Sequence, residues 1–184
     1  MINKIRTTIK IIKLFKNWPT FFACYSGLIK NKDLILEFRN GIKWHVDTTK
    51  RGFAVLGDVW IQRPYRLIDT IKDAKVIVDL GAHIGSFSIL AAKKFPRSRI
   101  YAFEASKETF QVLNENLKEN SIKNVTTFNN GVGSENSNLT FYIDENNTVL
   151  NSFKKRPGNK SYKIRCKTLK KIFEELKIQR CDFL

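Results

Sequence analysis

The middle of the chain alternates between short apolar runs and amphipathic stretches. The apolar runs predict strands over 76–80, 99–104 and 125–129, and the stretches between them predict helices over about 86–94 and 107–120. In the second helix, Phe110, Leu113 and Leu117 form one apolar stripe, while Lys118 and Glu119 face outward. Strands that alternate with helices form parallel sheets with right-handed crossovers. We therefore expect an α/β fold with a parallel sheet and flanking helices.

The N-terminal part follows two other patterns. Isoleucines recur there at helical spacing opposite lysines, which predicts a basic amphipathic helix that ends at Trp18 and Pro19. Such a helix could pack on the main domain, or it could lie on an anionic membrane surface with Trp18 as an interfacial anchor. From Leu34 to Val46, apolar residues alternate on both sides of Asn40-Gly41. Because Asn-Gly is the strongest short hairpin signal, we expect a β-hairpin here.

Alternation returns in the C-terminal part, over 139–143 and 162–167, on either side of Pro157-Gly158. This pattern predicts an antiparallel hairpin, followed by an amphipathic helix over 169–176 and a further strand that begins at Cys181. The chain would then divide into a basic N-terminal segment (1–33), a hairpin and helical lead-in (34–75) and an α/β domain (76–184). We expect the last strands of that domain's sheet to be missing.

Candidate chemistry is concentrated around the first two strands of the predicted sheet. The first strand ends in Asp79 and is followed by a turn bracketed by Gly81 and Gly85. Glycine allows backbone to approach a ligand closely and to adopt positive φ angles. The second strand ends at Glu104, 23 positions after Gly81, where a carboxylate can hold the two hydroxyl groups of a ribose. This arrangement is typical of half of a nucleotide-binding fold.

The turn lacks the features that two common nucleotides need. A dinucleotide fingerprint has a middle glycine where this chain carries His83, and a P-loop requires Gly-Lys-Ser/Thr where Gly85 is followed by Ser86 and Phe87. The remaining ligand has a ribose but no pyrophosphate. S-adenosylmethionine is the commonest ligand of that kind, so we expect it as the cofactor.

Three consecutive blocks carry a family resemblance. They read VIVDLGAHIGSFS from Val76, YAFEASKETFQVLNENLKEN from Tyr101 and NVTTFNNGVG from Asn124. In this order they resemble the FkbM-type family of S-adenosylmethionine-dependent methyltransferases. The resemblance implies a Rossmann-like class I methyltransferase fold and methyl transfer to hydroxyl oxygens of glycans or similar acceptors.

Residue roles follow from the resemblance and from the position of each residue. Gly81, Ala82, His83 and Gly85 are expected to contact the cofactor through their backbone, and Glu104 to accept the ribose hydroxyls. Ala105 and Ser106 are expected to line the adenosine, and Asn130 to bind the adenine. Asp79 has two open roles, because it could bind the methionine ammonium or brace the loop. A base role for His83 is disfavoured, and no catalytic residue is assigned.

The charge of the chain indicates which kinds of partner it could bind. The chain has 184 residues, of which 33 are Lys or Arg and 17 are Asp or Glu, giving a formal net charge of +16. Acidic residues are absent before Asp33 and between Glu145 and Glu174. The positive electrostatic field of such a chain attracts anionic lipid, nucleic acid or phosphate-bearing substrates. Alternatively, a lysine-rich composition could produce a basic surface that is only solvated.

Other features of the sequence limit the class of protein to which it can belong. Cys24, Cys166 and Cys181 are too scattered for a disulfide framework, and with only two histidines no metal site is expected. No apolar stretch approaches the length of a membrane span, and lysines interrupt any secretion signal, so a cytoplasmic location is expected.

Three functions are compatible with the sequence. The leading hypothesis is a glycan-directed O-methyltransferase, truncated and with weak or no activity, that uses a small-molecule or glycan acceptor. Nucleic acid is disfavoured as a partner but is kept in the alternative, a nucleic-acid-binding module or RNA methyltransferase. The third is a catalytically inactive remnant that binds a membrane surface or a partner through residues 2–29.

Overall fold

The computed structural model describes residues 2–49, 51–57, 59–60, 67–144, 146–154 and 160–184. The predicted Pro157-Gly158 turn lies outside them. Two helices open the chain, α1 (Ile2–Leu14) and α2 (Trp18–Tyr25). The prediction that Trp18 and Pro19 end the first helix is wrong, because they begin the second one. Proline is tolerated there, since first-turn N–H groups have no intrahelical partner.

The predicted N-terminal hairpin is confirmed. Strands β1 (Leu34–Glu37) and β2 (Lys43–Val46) pair antiparallel, with Leu34 opposite Val46. Gly41 in the connecting turn has φ = +85°, a conformation that glycine adopts readily. Beyond the hairpin come a 3₁₀ turn (Arg51–Ala54) and two short helices, α3 (Val55–Gly57) and α4 (Leu67–Thr70).

Asparagine side chains close both edges of this hairpin. On the β1 edge, the side-chain amide of Asn17 donates to the Ile35 carbonyl at 3.0 Å, and its oxygen accepts from the Glu37 amide at 2.9 Å. On the β2 edge, Asn116 accepts from the His45 amide at 2.6 Å and Asn120 accepts from the Lys43 amide at 2.9 Å. Both also donate to the carbonyl of the residue that they bind. The hairpin therefore has its backbone satisfied on two sides without further strands.

The predicted parallel sheet is also confirmed. Strands β3 (Val76–Leu80), β4 (Arg99–Phe103) and β5 (Val125–Phe128) pair in parallel in the order β3-β4-β5. Helix α5 (Ser86–Lys94) connects the first two strands and α6 (Lys107–Glu119) connects the last two. On the outer edge of β3, Phe183 forms a parallel bridge to Ile77. The sheet is the scaffold that places Asp79, Glu104 and the residues after β5 at one edge.

A smaller sheet lies beside the ends of these strands. It contains β6 (Gly131–Val132), β7 (Asn138–Ile143) and β8 (Lys160–Lys167) in the order β6-β8-β7. β7 and β8 are antiparallel, as predicted, with Asn138 opposite Arg165 and Ile143 opposite Lys160. Helix α7 (Leu169–Glu175) follows, capped by the Thr168 side chain, which accepts from the Lys171 amide at 3.1 Å.

Buried side chains connect the N-terminal elements to the parallel sheet. One apolar cluster runs from Phe15, just after α1, and Phe21 of α2 through Trp44 of β2 to Leu113 of α6. In α1 itself, Ile11 is buried while Ile5 and Ile9 are 58% and 46% exposed. The apolar face of α1 is thus used in part for packing. The division of the chain into three segments stays a prediction. Among the described residues, no helix is long and apolar enough to cross a membrane.

Candidate functional site

A cleft opens at the carboxyl ends of β3, β4 and β5, with a volume of about 610 Å³. Its walls come from the turn after β3, the residues after β4, the residues after β5, and the segment around Thr148 and Phe153. Carboxyl ends of parallel strands are where open α/β sheets bind ligands. The volume falls within the roughly 300–1,000 Å³ typical of small-molecule sites.

The turn after β3 forms the floor of the cleft. Gly81 and Gly85 have φ angles of +77° and +88°, and His83 between them has φ = +53°. The amides of Gly81 and Ala82 both donate to the Phe103 carbonyl at 2.9 Å, which anchors the turn to β4. A Cβ atom on Gly85 would lie 2.7 Å from Leu113 Cδ1. Glycine is therefore favoured at position 85 by its backbone conformation, and a larger residue would also have to displace the end of the Leu113 side chain.

Glu104 lies at the centre of the site, directly after β4. Its Oε2 accepts from the His83 amide and its Oε1 from the Ser106 amide, both at 2.8 Å. Burial raises the pKa of this carboxyl group, and the nearby Asp79 raises it further, while the two amides oppose the shift. Each carboxylate oxygen keeps a second lone pair that can accept from a ligand hydroxyl. The two amides fix the orientation of the carboxylate at the end of β4.

Asp79 lies behind the turn and does not line the cleft. Its Oδ2 accepts from the Ser88 hydroxyl of α5 at 2.6 Å, and burial raises its pKa from 3.8 to about 6. Of its two expected roles, this contact fits the bracing of the loop. Among the described residues, no Lys, Arg or His forms an ion pair with Asp79 or Glu104. Two buried acidic groups that no described cation neutralises suit a cationic ligand.

The His83 side chain joins the turn to the opposite wall. Its Nε2 lies 2.8 Å from Thr148 Oγ1, and Thr148 begins a 3₁₀ turn (Thr148–Leu150). Burial lowers the pKa of His83 to about 4, so the imidazole is neutral at pH 7. Its Nδ1 is buried and has no hydrogen-bond partner within the described part of the chain. The ring therefore connects two walls of the cleft and carries no charge.

The third wall follows β5 and is aromatic. The Asn129 side chain donates to the carbonyls of Glu104 and Ala105, at 2.9 and 3.3 Å, and so ties this wall to the end of β4. At Gly131, a Cβ atom would lie 2.5 Å from Phe153 Cζ and 2.6 Å from Cys166 Sγ. Only glycine allows the Phe153 ring to lie this close to the backbone. The Phe153 ring thus contributes apolar surface to this part of the cleft.

The predicted site residues separate into two groups. Gly81, His83, Glu104, Ala105 and Asn130 line the cleft. The others, Asp79, Ala82, Gly85 and Ser106, support it from behind. Ser106 is the N-cap of α6 and accepts from the Thr109 amide, while the Asn130 side chain donates to the Gly131 carbonyl.

Sequence reasoning missed the residues that reach the cleft from elsewhere in the chain, notably Thr148 and Phe153. It also missed Asn116, which is fully buried in α6 and donates to the Ile84 carbonyl at 2.9 Å. Through this bond α6 holds the turn and the β2 edge together. The spacing of Asn116 and Asn120, one helical turn apart, was the available signal.

These features fit S-adenosylmethionine, which carries a positive charge, a ribose and an adenine. The fold and the cleft define a class I S-adenosylmethionine-dependent methyltransferase. The TRM5/TYW2 methyltransferase domain family matches residues 36–155, about two thirds of the chain, and the chain belongs to this family. The predicted fold class, enzyme class and cofactor are thereby confirmed.

Individual relatives match smaller parts of this chain than the family does. Methyltransferase 1 of Beauveria bassiana (strain ARSEF 2860) is 32% identical over 87 residues, which is 46% of this chain and 34% of that protein. The chain thus spans about a third of the length of this curated relative. Among solved structures, Trm5b from Pyrococcus abyssi is similar at 28% identity and a TM-score of 0.42, over 53% of this chain and 28% of that one. A transferase from Pyrococcus horikoshii is similar at 21% identity and a TM-score of 0.44, over 61% and 46%.

The family match corrects three predictions. The assignment to the FkbM-type family is wrong, and with it the glycan O-methyltransferase function and the small-molecule or glycan acceptor. The physical reason is that the quoted motifs all lie on the cofactor side of the site. The glycine turn, Glu104 and the residues after β5 line or support the cleft at the carboxyl ends of the strands, and all methyltransferases of this class share the same cofactor. They contain no information about the acceptor, so the resemblance could identify the class but not the family.

Proposed function

We propose that this chain is the catalytic domain of an RNA methyltransferase that acts on tRNA. The observation that carries the proposal is the match of residues 36–155 to the TRM5/TYW2 methyltransferase domain family. The similar Trm5b structure belongs by its name to the same family, but its low structural similarity adds no weight. The formal net charge of +16 is the electrostatic condition that binding of a polyanionic substrate requires.

Each wall of the cleft has a role in holding the cofactor. Glu104 accepts the ribose hydroxyls with the lone pairs that the His83 and Ser106 amides leave free. The backbone of Gly81 and His83 contacts the methionine part, with Ala82 and Gly85 maintaining the shape of the turn. Ala105, Asn130 and the Phe153 ring surround the adenine. Asp79 braces the turn through Ser88 and adds negative potential beneath a cation.

When bound, S-adenosylmethionine supplies an electrophilic methyl group attached to a sulfonium. Transfer of this group is an in-line displacement, so the protein contributes mainly by positioning the two reactants. The described residues lining the cleft offer no evident general base, because the His83 imidazole has a pKa near 4 and its Nε2 contacts Thr148. We assign His83 to positioning and leave the catalytic residue unassigned. A cytoplasmic location, where tRNA is present, stays a prediction.

The test is methyl transfer to RNA. The full chain is incubated with methyl-labelled S-adenosylmethionine and unmodified tRNA transcripts, and label is counted in the RNA. We expect label in tRNA that depends on enzyme concentration, and its loss in Glu104→Gln. Glu115→Gln, which changes an exposed glutamate on α6, is the matched control and should retain transfer. Tight cofactor binding without label in any tRNA transcript would refute the proposal.

A further inference from the structure

The smaller sheet has an outer face that turns away from the parallel sheet. We define this outer face by three residues of β7 and the three that pair with them from β8: Asn138, Thr140, Tyr142, Ser161, Lys163 and Arg165. Directly paired residues share a face, and the alternate positions Phe141, Ile164 and Cys166 are buried beneath it. All six outer-face side chains are polar or amphipathic, and Lys163 and Arg165 are exposed.

The charges on this face are largely uncompensated. None of its six residues is acidic, and within the described ranges neither Lys163 nor Arg165 has an ion-pair partner. Two acidic groups have fields that reach this sheet: Glu175 of α7, which pairs with Lys167 and is also influenced by Arg165, and Glu135, whose charge acts on Cys166 of β8. A net positive potential therefore remains.

A polar groove continues the outer face toward α7. It has a volume of about 460 Å³ and is lined by Asn136, Asn138, Arg165, Lys167, Lys171 and Glu175, among others. Three cationic groups face one carboxylate in this groove. Amide and hydroxyl groups beside cations are the donors that phosphate and sugar oxygens accept from in protein–nucleic acid contacts.

The outer face is also connected to the cleft. Tyr142 and Ser152 exchange backbone hydrogen bonds at 2.8 and 3.0 Å, so the segment that ends in Phe153 forms a further edge of the same sheet. Phe153 walls the cleft, and the exposed Lys154 follows it. Phe141 lines the cleft from the other side of this sheet, so an RNA strand on the outer face would reach the mouth of the cleft around the edge that Ser152 and Phe153 form.

From these contacts we infer that the outer face and its groove bind the sugar–phosphate backbone of the RNA substrate and direct it toward the cleft. The inference rests on the proposed function and names the surface that function would use. A lipid surface fits less well, because the face presents amides, hydroxyls and cations, with Tyr142 as its one aromatic residue. Membrane-bound surfaces need apolar side chains that enter the bilayer interface.

The test compares two double variants that each remove two positive charges. Lys163→Gln/Arg165→Gln changes the outer face, and Lys118→Gln/Lys123→Gln changes exposed lysines near the amino end of β5. Affinity of the full chain for an unmodified tRNA transcript is measured without cofactor over a range of salt concentrations. We expect the affinity of the outer-face variant to be about tenfold or more below that of the control variant. Its salt slope should fall by about 1 for each phosphate that the variant no longer neutralises.

Two further readouts separate the possible failures. Binding of S-adenosylmethionine should be equal in both variants, which shows that the fold is intact, and the KM for tRNA should rise more than kcat falls. Equal RNA affinity and equal salt slopes in the two variants would overturn the inference, as would an outer-face variant that loses only its affinity for anionic phospholipid vesicles. If RNA binding follows the expectation but no methyl transfer occurs in the parent chain, the proposed function fails and the docking surface stands.

Discussion

The backbone amide of His83 lies 2.8 Å from Oε2 of Glu104. This bond joins the turn after β3 to the end of β4, and the Ser106 amide holds the other carboxylate oxygen at the same distance. The group proposed to bind the ribose is therefore also the group that fixes the floor of the cleft. Cofactor affinity and loop conformation should respond together when Glu104 is changed.

Glu104→Gln should lower both cofactor affinity and stability. A glutamine amide places an NH₂ group against one of two backbone amides, so a buried donor is left without an acceptor, which costs about 1–3 kcal/mol. We expect S-adenosylmethionine affinity to fall about tenfold or more by calorimetry, alongside a lower urea midpoint. Glu115→Gln is the control, and equal affinity in the two variants would contradict the ribose role.

Asp79 should make stability depend on pH. Its pKa is raised from 3.8 to about 6 by burial, so the folded state resists ionisation that the unfolded chain undergoes. The stabilising contribution of its protonated form is complete below about pH 3.8 and is lost as pH rises through about 6. In Asp79→Asn this loss is absent, so the free energy of unfolding of the variant relative to the parent should increase by about 1–3 kcal/mol between pH 4 and pH 7.

The measurement for Asp79 is urea unfolding of both proteins across that pH range. A difference between variant and parent that does not change with pH would show that Asp79 has an ordinary pKa in the folded state. Asp73→Asn, which changes an exposed acid just before β3, serves as the control, and the difference from the parent should not change with pH.

Asn116→Ala should destabilise the protein and loosen the turn. The substitution leaves the His45 amide and the Ile84 carbonyl without their side-chain partners, and an unsatisfied buried group costs about 1–3 kcal/mol. We expect a lower denaturation midpoint and faster hydrogen exchange at the His45 amide. Glu115→Ala on the exposed side of α6 should stay within about 0.5 kcal/mol of the parent. Unchanged exchange at His45 would contradict the role given to Asn116.

Gly131→Ala should displace Phe153 from the wall of the cleft. The added Cβ would lie 2.5 Å from Phe153 Cζ and 2.6 Å from Cys166 Sγ, and overpacking of this kind costs about 1–3 kcal/mol. Cofactor affinity and the stability of the protein should both fall. Combining the change with Cys166→Ala and Phe153→Leu should recover stability but not affinity, if the aromatic ring holds the adenine. Recovery of affinity as well would remove Phe153 from the binding site.

Local patterns predicted the parallel sheet and the glycine turn after β3. Strand and helix periods are properties of short windows, and Gly81, Gly85 and Glu104 lie within one βα unit and the strand that follows it. Thr148 and Phe153 could not be predicted in the same way, because they come from a segment far along the chain that pairs with β7. Asn116 was missed because a polar residue on a helix is normally solvated, whereas here it replaces a strand partner.

Two errors have different physical origins. Pro19 was interpreted as the end of a helix, but proline is equally suited to the first turn of the next one. The family assignment failed because the cofactor side of the site is common to many methyltransferases. The acceptor surface that we propose on β7 and β8 could not be recognised in the same way, because alternation predicts the strands but does not indicate what their exposed residues bind.

The asparagines along the β1–β2 hairpin also bear on self-association. An open strand edge can recruit the same strand from another molecule and start a growing intermolecular sheet. Asn17 on one side and Asn116 with Asn120 on the other already occupy the backbone groups that such recruitment would need. Loss of one of these amides would free backbone groups on a hairpin edge and so weaken a barrier to polymerisation, which repulsion between the many lysines of the N-terminal region also opposes.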